Sequence, residues 1–184
     1  MKALGILLAA GGALMTLGGL GGGALLWLAR SALLGLAGMA ETIASAGPEP
    51  AGPLHDLALV AGAKGAAMLA LAGISLMALV AGIGLFRVRG WGRTWSLIWA
   101  PLALAYLIAE VLADLLVVAP AISRAADALA ADLAEGGAAL ADTGVPVEWL
   151  GSLAGLGTIA TIFNALVLAV TPILTLVLLT RGKQ

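Results

Sequence analysis

Glu110 and Asp114 stand four residues apart in the run YLIAEVLADLLVVAP, and Tyr106 lies one further step back. On a helix all three share a face. Carboxylates in so apolar a segment either load and release a proton or cation, or are held by a counter-charge. A lone Asp or Lys at the centre of a membrane helix costs about 2.5–3.5 kcal/mol to insert, so a partner is required. Lys64 is the candidate. Counted from the ends of their apolar runs, Lys64 and Glu110 reach the same depth, and Asn164 brings an amide to that layer. This predicts a Lys64–Glu110 ion pair, with Asn164 completing the hydrogen bonds and Asp114 reaching outward to water. Arg30 and Arg124 fall above the layer, within reach of Asp114. A proton relay would repeat polar groups through the whole membrane. The other half offers only threonines and Ser75, which favours a structural cluster or an outward-facing pocket.

Other chemistry finds little material. His55, beside Asp56, is the single histidine, and there is no cysteine. That leaves no set of zinc ligands, no disulfide and no thiol redox couple. Neither a G-x-S-x-G elbow nor a phosphate-binding G-x-x-x-x-G-K-[ST] loop occurs. Intramembrane proteolysis would need a second aspartate on another span. The sequence therefore predicts no enzyme, no cofactor and no metal site. A net charge of −1 provides no basic field for nucleic acid.

The elements that carry these residues are membrane spans. Hydrophobic residues make up 62% of the 184, charged ones 10%, and mean hydropathy is +1.12. A soluble domain carries about 25% charged residues and could not hide this much apolar surface. Four runs are long enough to cross the bilayer: residues 3–29, 57–86, 95–118 and 150–180. The expected fold is all-α, an integral membrane four-helix bundle forming a single transmembrane domain over 1–184. Arg87, Arg89 and Arg93 crowd the short loop 87–94; Lys2, Arg181 and Lys183 flank the ends. The positive-inside rule puts that loop and both termini in the cytoplasm, with loops 30–56 and 119–149 outside. Trp91, Trp95 and Trp99 then mark the inner boundary, and Trp27 and Trp149 the outer one. The apolar run of MKALGILLAAGGAL continues to Trp27 with no A-x-A site to close it, so it reads as a span rather than a signal peptide.

Both outer loops carry helical patterns. Leu33, Leu36, Met39, Ala40 and Ile43 continue the first span until GPEPAGP. Ile122, Ala126, Leu129 and Leu133 form a second stripe, with Arg124, Asp127, Asp132 and Glu135 largely elsewhere. Gly136–Gly137 and Gly144–Val145–Pro146 break it.

Packing in lipid depends on close backbone approach and polar contacts. In the first span Gly5, Gly12 and Gly19 are seven apart, as are Gly11 and Gly18; Gly18/Gly22 and Gly19/Gly23 make G-x-x-x-G pairs. These glycines suit either internal packing or contact with a second copy. Ala58, Gly62, Ala66 and Ala70 repeat the four-residue step on the second span. On the last, Thr161, Asn164, Thr171 and Thr175 form a stripe, with Leu168 between them and Thr158 close by. Pro101 and Pro172 each free a carbonyl one turn earlier, at similar depth. Two such points can shape a small inner-leaflet cavity.

The run GIGLFRVRGWGRTWSLIWAPLAL, with AVTPILTLVLLTRGK near the end, resembles uncharacterised bacterial four-span inner-membrane proteins. In these a span ends in Gly-Leu, an Arg-Trp-x-Arg turn follows, and the last helix has a proline before a basic tail. The matching positions are Gly84, Leu85, Arg89, Trp91, Arg93, Pro172 and Arg181, with Gly90 interrupting the turn. The resemblance implies a multi-pass inner-membrane protein and no activity. The topology is also similar to claudin-like and disulfide-forming quinone-linked four-span proteins, but both require cysteines. The leading expectation is an accessory, assembly or scaffolding subunit that meets the lipid bilayer and other membrane chains or its own copies. The alternative is a small transporter or channel component using Glu110 and Asp114 for an ion or cationic substrate.

Overall fold

The structure, a computed structural model, describes residues 2–43, 52–136 and 148–181. Among these it is all-α, without a strand. The elements are α1 (Lys2–Ile43), α2 (Gly52–Phe86), α3 (Gly90–Ala113), a π segment (Asp114–Val118), α4 (Ala119–Gly136) and α5 (Glu148–Arg181). Four stretches are long and apolar enough to cross a membrane: Lys2–Met39, Gly52–Phe86, Gly90–Ala128 and Ile159–Thr180. The shortest has 22 residues. At 1.5 Å per residue it reaches about 33 Å, enough for a hydrocarbon core of about 30 Å. This is the architecture of a multi-pass membrane protein.

α1 runs unbroken to Ile43, as the helical pattern up to GPEPAGP predicts. The boundaries differ from the pattern reading in two places. α3 starts at Gly90, so the loop expected over 87–94 contracts to a three-residue turn. The third span passes through the π segment into α4 instead of ending at Val118. Pro120 supplies the reason. It has no N–H for the Leu116 carbonyl, and its ring would press on that carbonyl in an α-helix. The wider turn relieves this, and the Ala119 N–H donates to the Asp114 carbonyl five residues back. Most of GPEPAGP, with Gly137 and Gly144–Val145–Pro146, lies outside the described residues. So do the side chains of Ala40, Ile43, Leu129, Asp132, Leu133, Glu135, Trp149 and Thr158.

The chain divides into two compact units. Unit 1 comprises 1–24, 66–111 and 162–184; unit 2 comprises 25–65 and 112–161. In unit 1, Leu8 of α1, Ala78 and Leu85 of α2, Trp99, Ala100 and Ala103 of α3 and Leu179 of α5 form one buried cluster. The seven-residue glycines bring α1 and α2 together. A Cβ on Gly12 would lie 2.6 Å from the Leu79 nitrogen and 2.7 Å from the Ser75 carbonyl oxygen. One on Gly5 would come 2.5 Å from the Phe86 nitrogen, and one on Gly19 2.6 Å from the Met68 carbonyl oxygen. A strict seven-residue repeat keeps such a seam facing its partner along the helix. Gly22 meets the Met68 sulfur, and Gly23 is buried. Gly11 and Gly18 are exposed, and a Cβ on either would meet nothing within 4 Å. Internal packing therefore accounts for one glycine row of α1 and leaves the other open.

α2 ends in a Schellman cap. The Arg89 N–H donates to the Gly84 carbonyl and the Val88 N–H to the Leu85 carbonyl, both at 3.0 Å. The left-handed position, normally glycine, is held by Val88 at φ 54°. The turn closes tightly because a Cβ on Gly84 would sit 2.6 Å from the Gly92 Cα. Thr175, fully buried, donates to the Thr171 carbonyl at 2.9 Å, and Thr180 bonds Leu176 in the same way. These threonines satisfy themselves within their own helix.

Candidate functional site

Unit 2 holds the charges that the spans bring together. The Lys64 ammonium makes an ion pair with the carboxylate of Asp114, the first residue of the π segment. The Asp114 side chain is only 6% exposed and that of Lys64 26%. The pairing expected from sequence is thus corrected. Asp114, not Glu110, is the buried partner of Lys64, and it does not reach out to water. The reason is depth. The apolar stretch of the third span ends at Ala128 rather than Val118, and α2 starts at Gly52 rather than Leu57. The reference point moves outward about twice as far on the third span as on the second, which brings Asp114 level with Lys64. Glu110 and Asp114 lie on one stripe, so periodicity alone could not choose between them.

A second ion pair joins the same two elements. The Arg124 guanidinium of α4 donates through Nη2 to Asp56 Oδ1 at 2.9 Å and through Nε to Oδ2 at 3.2 Å. This two-point fork fixes orientation as well as charge. Arg30 lies over the Trp27 ring, 5.1 Å from its centroid. Its stem occupies a trough on α2, where a Cβ on Gly62 would come 2.9 Å from Arg30 Cδ. Trp27 likewise lies against Gly65. Arg30 and Arg124, both expected near Asp114, are therefore engaged by Trp27 and Asp56. The sequence reading missed those two partners. The signal was present in charge order: Asp56 then Lys64 along α2, answered by Asp114 then Arg124 along the antiparallel return.

Of the expected set Lys64, Glu110, Asp114 and Asn164, Lys64 and Asp114 are joined by their ion pair in unit 2. Glu110 is partly exposed and Asn164 exposed, both in unit 1. Among the described residues the ion pairs are Lys64–Asp114 and Arg124–Asp56. Tyr106 donates its hydroxyl to the Ala67 carbonyl at 2.9 Å. In the basic turn Arg87 and Arg89 are exposed, while Arg93 reaches from α3 to the Leu179 carbonyl in the last turn of α5. A cation there meets the partial negative charge of a helix C-terminus. His55 is exposed, and among the described residues no three His, Cys, Asp or Glu side chains gather as metal ligands do.

Unit 1 also contains a cavity of about 550 Å³. All four of its helical segments contribute, among them Leu8 and Gly11 of α1, Ser75 of α2, Trp99 of α3, and Leu168 and Pro172 of α5. Of the two prolines expected to shape a cavity, Pro172 is in this wall, whereas Pro101 is exposed and outside it. Trp99 is 6% exposed, and its indole Nε1, shielded from solvent, has no acceptor. Such a donor is normally satisfied when buried. Compared with known protein families, curated proteins and solved structures, the chain finds no match.

Proposed function

We propose that this chain is a non-enzymatic subunit of a larger membrane complex, with an accessory, assembly or scaffolding role in a bacterial inner membrane. The termini and the Arg87–Arg93 turn face the cytoplasm, as the basic residues direct. The observation that supports this reading most is how the buried charge is used. Asp114, the buried carboxylate, is held by Lys64. A neutralised pair joining two helices acts as a strut, and breaking one commonly destabilises a protein. The open glycine row of α1, Gly11 and Gly18 beside exposed Leu14 and Leu17, leaves a lipid-facing surface on which another helix can press closely. Purification in mild detergent with native mass measurement tests this. The expected result is a fixed ratio of this chain to other membrane chains or to its own copies. A uniform single chain would overturn it.

Glu110 supports a second reading, a small transporter or channel component. It lies outside both ion pairs and is partly exposed on an apolar helix, where an unpaired acid can exchange a proton or cation. Flux into liposomes that Glu110→Gln abolishes, with the fold intact, would establish this reading in place of the first.

A further inference from the structure

We propose that Arg30, stacked on Trp27 and seated against two glycines of α2, is a binding site for a phosphate group, carried by a phospholipid headgroup or present as the free ion. Trp27 and Arg30 are one turn apart on α1. The guanidinium lies 5.1 Å from the ring centroid, so the indole takes one of its flat faces. Its stem rests where a Cβ on Gly62 would come 2.9 Å from Cδ and 3.0 Å from Nε. Trp27 rests on Gly65 in the same way, its Cδ1 2.9 Å from the place of a Cβ there. A side chain at either position would displace the pair. The two glycines thus hold in one place a side chain that ordinarily keeps much of its rotamer freedom.

This seat leaves the edge of the guanidinium open. Among the described residues no carboxylate pairs with Arg30 and nothing accepts from its nitrogens. Those nitrogens are nevertheless absent from the buried donors without a partner, which are Arg93 Nε and Trp99 Nε1, so they are reachable from outside. A stacked guanidinium presents its N–H groups in one plane, the fork that takes two oxygens of a phosphate. The place of Arg30 along the helix supplies the anion. From Lys2 to Arg30 α1 rises about 42 Å, which matches the bilayer thickness of about 40–45 Å with its headgroup layers included. Trp27 suits that same layer, where indoles collect. Leu25, Leu28 and Leu59 of the same unit are exposed, a surface fit for acyl chains beside a headgroup. The site lies on this chain alone and does not depend on a partner.

Three probes test the site: dioleoyl phosphatidylglycerol, dioleoylglycerol with the same chains and no phosphate, and inorganic phosphate. Native mass measurement from mild detergent reads lipid retention, and melting temperature reads stabilisation by the free ion. The chain should retain the phospholipid in preference to dioleoylglycerol, or be stabilised by inorganic phosphate. Stabilisation that Arg30→Met removes identifies the free ion as the ligand, and its absence identifies the headgroup. Arg30→Met keeps an apolar stem without the N–H groups, and should weaken binding of the effective probe about tenfold, the equivalent of one charge-assisted hydrogen bond. Gly62→Leu keeps the charge but strikes the Arg30 stem, and should weaken binding as well. Arg89→Met removes an exposed cation from the turn after α2 and should leave binding unchanged. Equal retention of the two lipids without stabilisation by phosphate overturns the site. So does binding that survives Arg30→Met, or that falls equally in Arg89→Met. A loss in Arg30→Met with none in Gly62→Leu overturns the role of the glycine seat.

Discussion

Lys64 and Asp114 form an ion pair between α2 and the π segment, with the carboxylate almost wholly enclosed. Removing one partner of a buried pair costs about 3–5 kcal/mol, because the other charge is left without compensation. Asp114→Asn and Lys64→Met should each destabilise by about 3 kcal/mol, and the double variant by clearly less than their sum. Glu110→Gln should change stability by less than about 0.5 kcal/mol, as a substitution away from such features does. Equilibrium unfolding in mixed micelles measures all four. A large loss in Glu110→Gln with none in Asp114→Asn would return the pair to the partner expected from sequence.

The two glycine rows of α1 should respond oppositely to a single methyl group. Gly12→Ala places a Cβ 2.6 Å from the Leu79 backbone, which cannot yield as a flexible side chain would. The expected loss is about 2–3 kcal/mol, the upper range for overpacking. Gly11→Ala meets nothing within 4 Å and should gain up to about 1 kcal/mol from helix propensity. Equal effects at the two positions would show that α1 and α2 do not meet along this seam.

Val88 holds a left-handed conformation that costs a side-chain-bearing residue about 1–2 kcal/mol. It is exposed, and its N–H bond to Leu85 does not depend on its side chain. Val88→Gly should therefore raise stability by about 1 kcal/mol, after allowance for the greater freedom of glycine when unfolded. A fall in melting temperature would mean that the valine methyls contribute packing.

Pro120 is the residue that makes the helix widen before it. Pro120→Ala restores an N–H for Leu116 and should allow Asp114–Val118 to return to α-helical winding. Dropping the extra residue from a turn rotates what precedes it by about 100°, one residue of helix. The Asp114 carboxylate would then turn away from Lys64, and the coupling between them in a double-mutant cycle should fall by at least about half. Full coupling in the Pro120→Ala background would show that the pair fixes the turn, rather than the proline.

Much of this architecture is legible in the sequence, for reasons that differ by element. Apolar run length and the scarcity of charge define four spans because lipid imposes the same demand on each. The glycines at 5, 12 and 19 reveal the α1–α2 seam because a seven-residue step stays on one side of a helix. Those at 11 and 18 have the same spacing and no contact, so spacing identifies a row but not whether it is filled. The Lys64 partner is not legible in the sequence, because the apolar run suggests a span end at Val118 from which depth is counted wrongly. The helix continues there because a π turn accommodates Pro120, and hydropathy does not register that. Depth alone links Asn164 to that layer and does not tell which way its side chain faces; it is exposed. Only Pro172 of the two prolines lines the cavity, since depth says nothing of which way a kink faces.

The ion pair also orders the entry of the chain into the membrane. Lys64 is synthesised before Asp114. Until the third span emerges, α2 carries a lone cation, at an insertion cost of about 2.5–3.5 kcal/mol if it lies centrally. Its neutraliser lies past the far end of α3, beyond the tight turn at residues 87–89, and arrives only when that whole helix has been made. The second and third helices are thus a unit of membrane insertion, favoured to partition as a hairpin rather than one at a time. A truncation between them would strand a charge in lipid rather than merely shorten the protein.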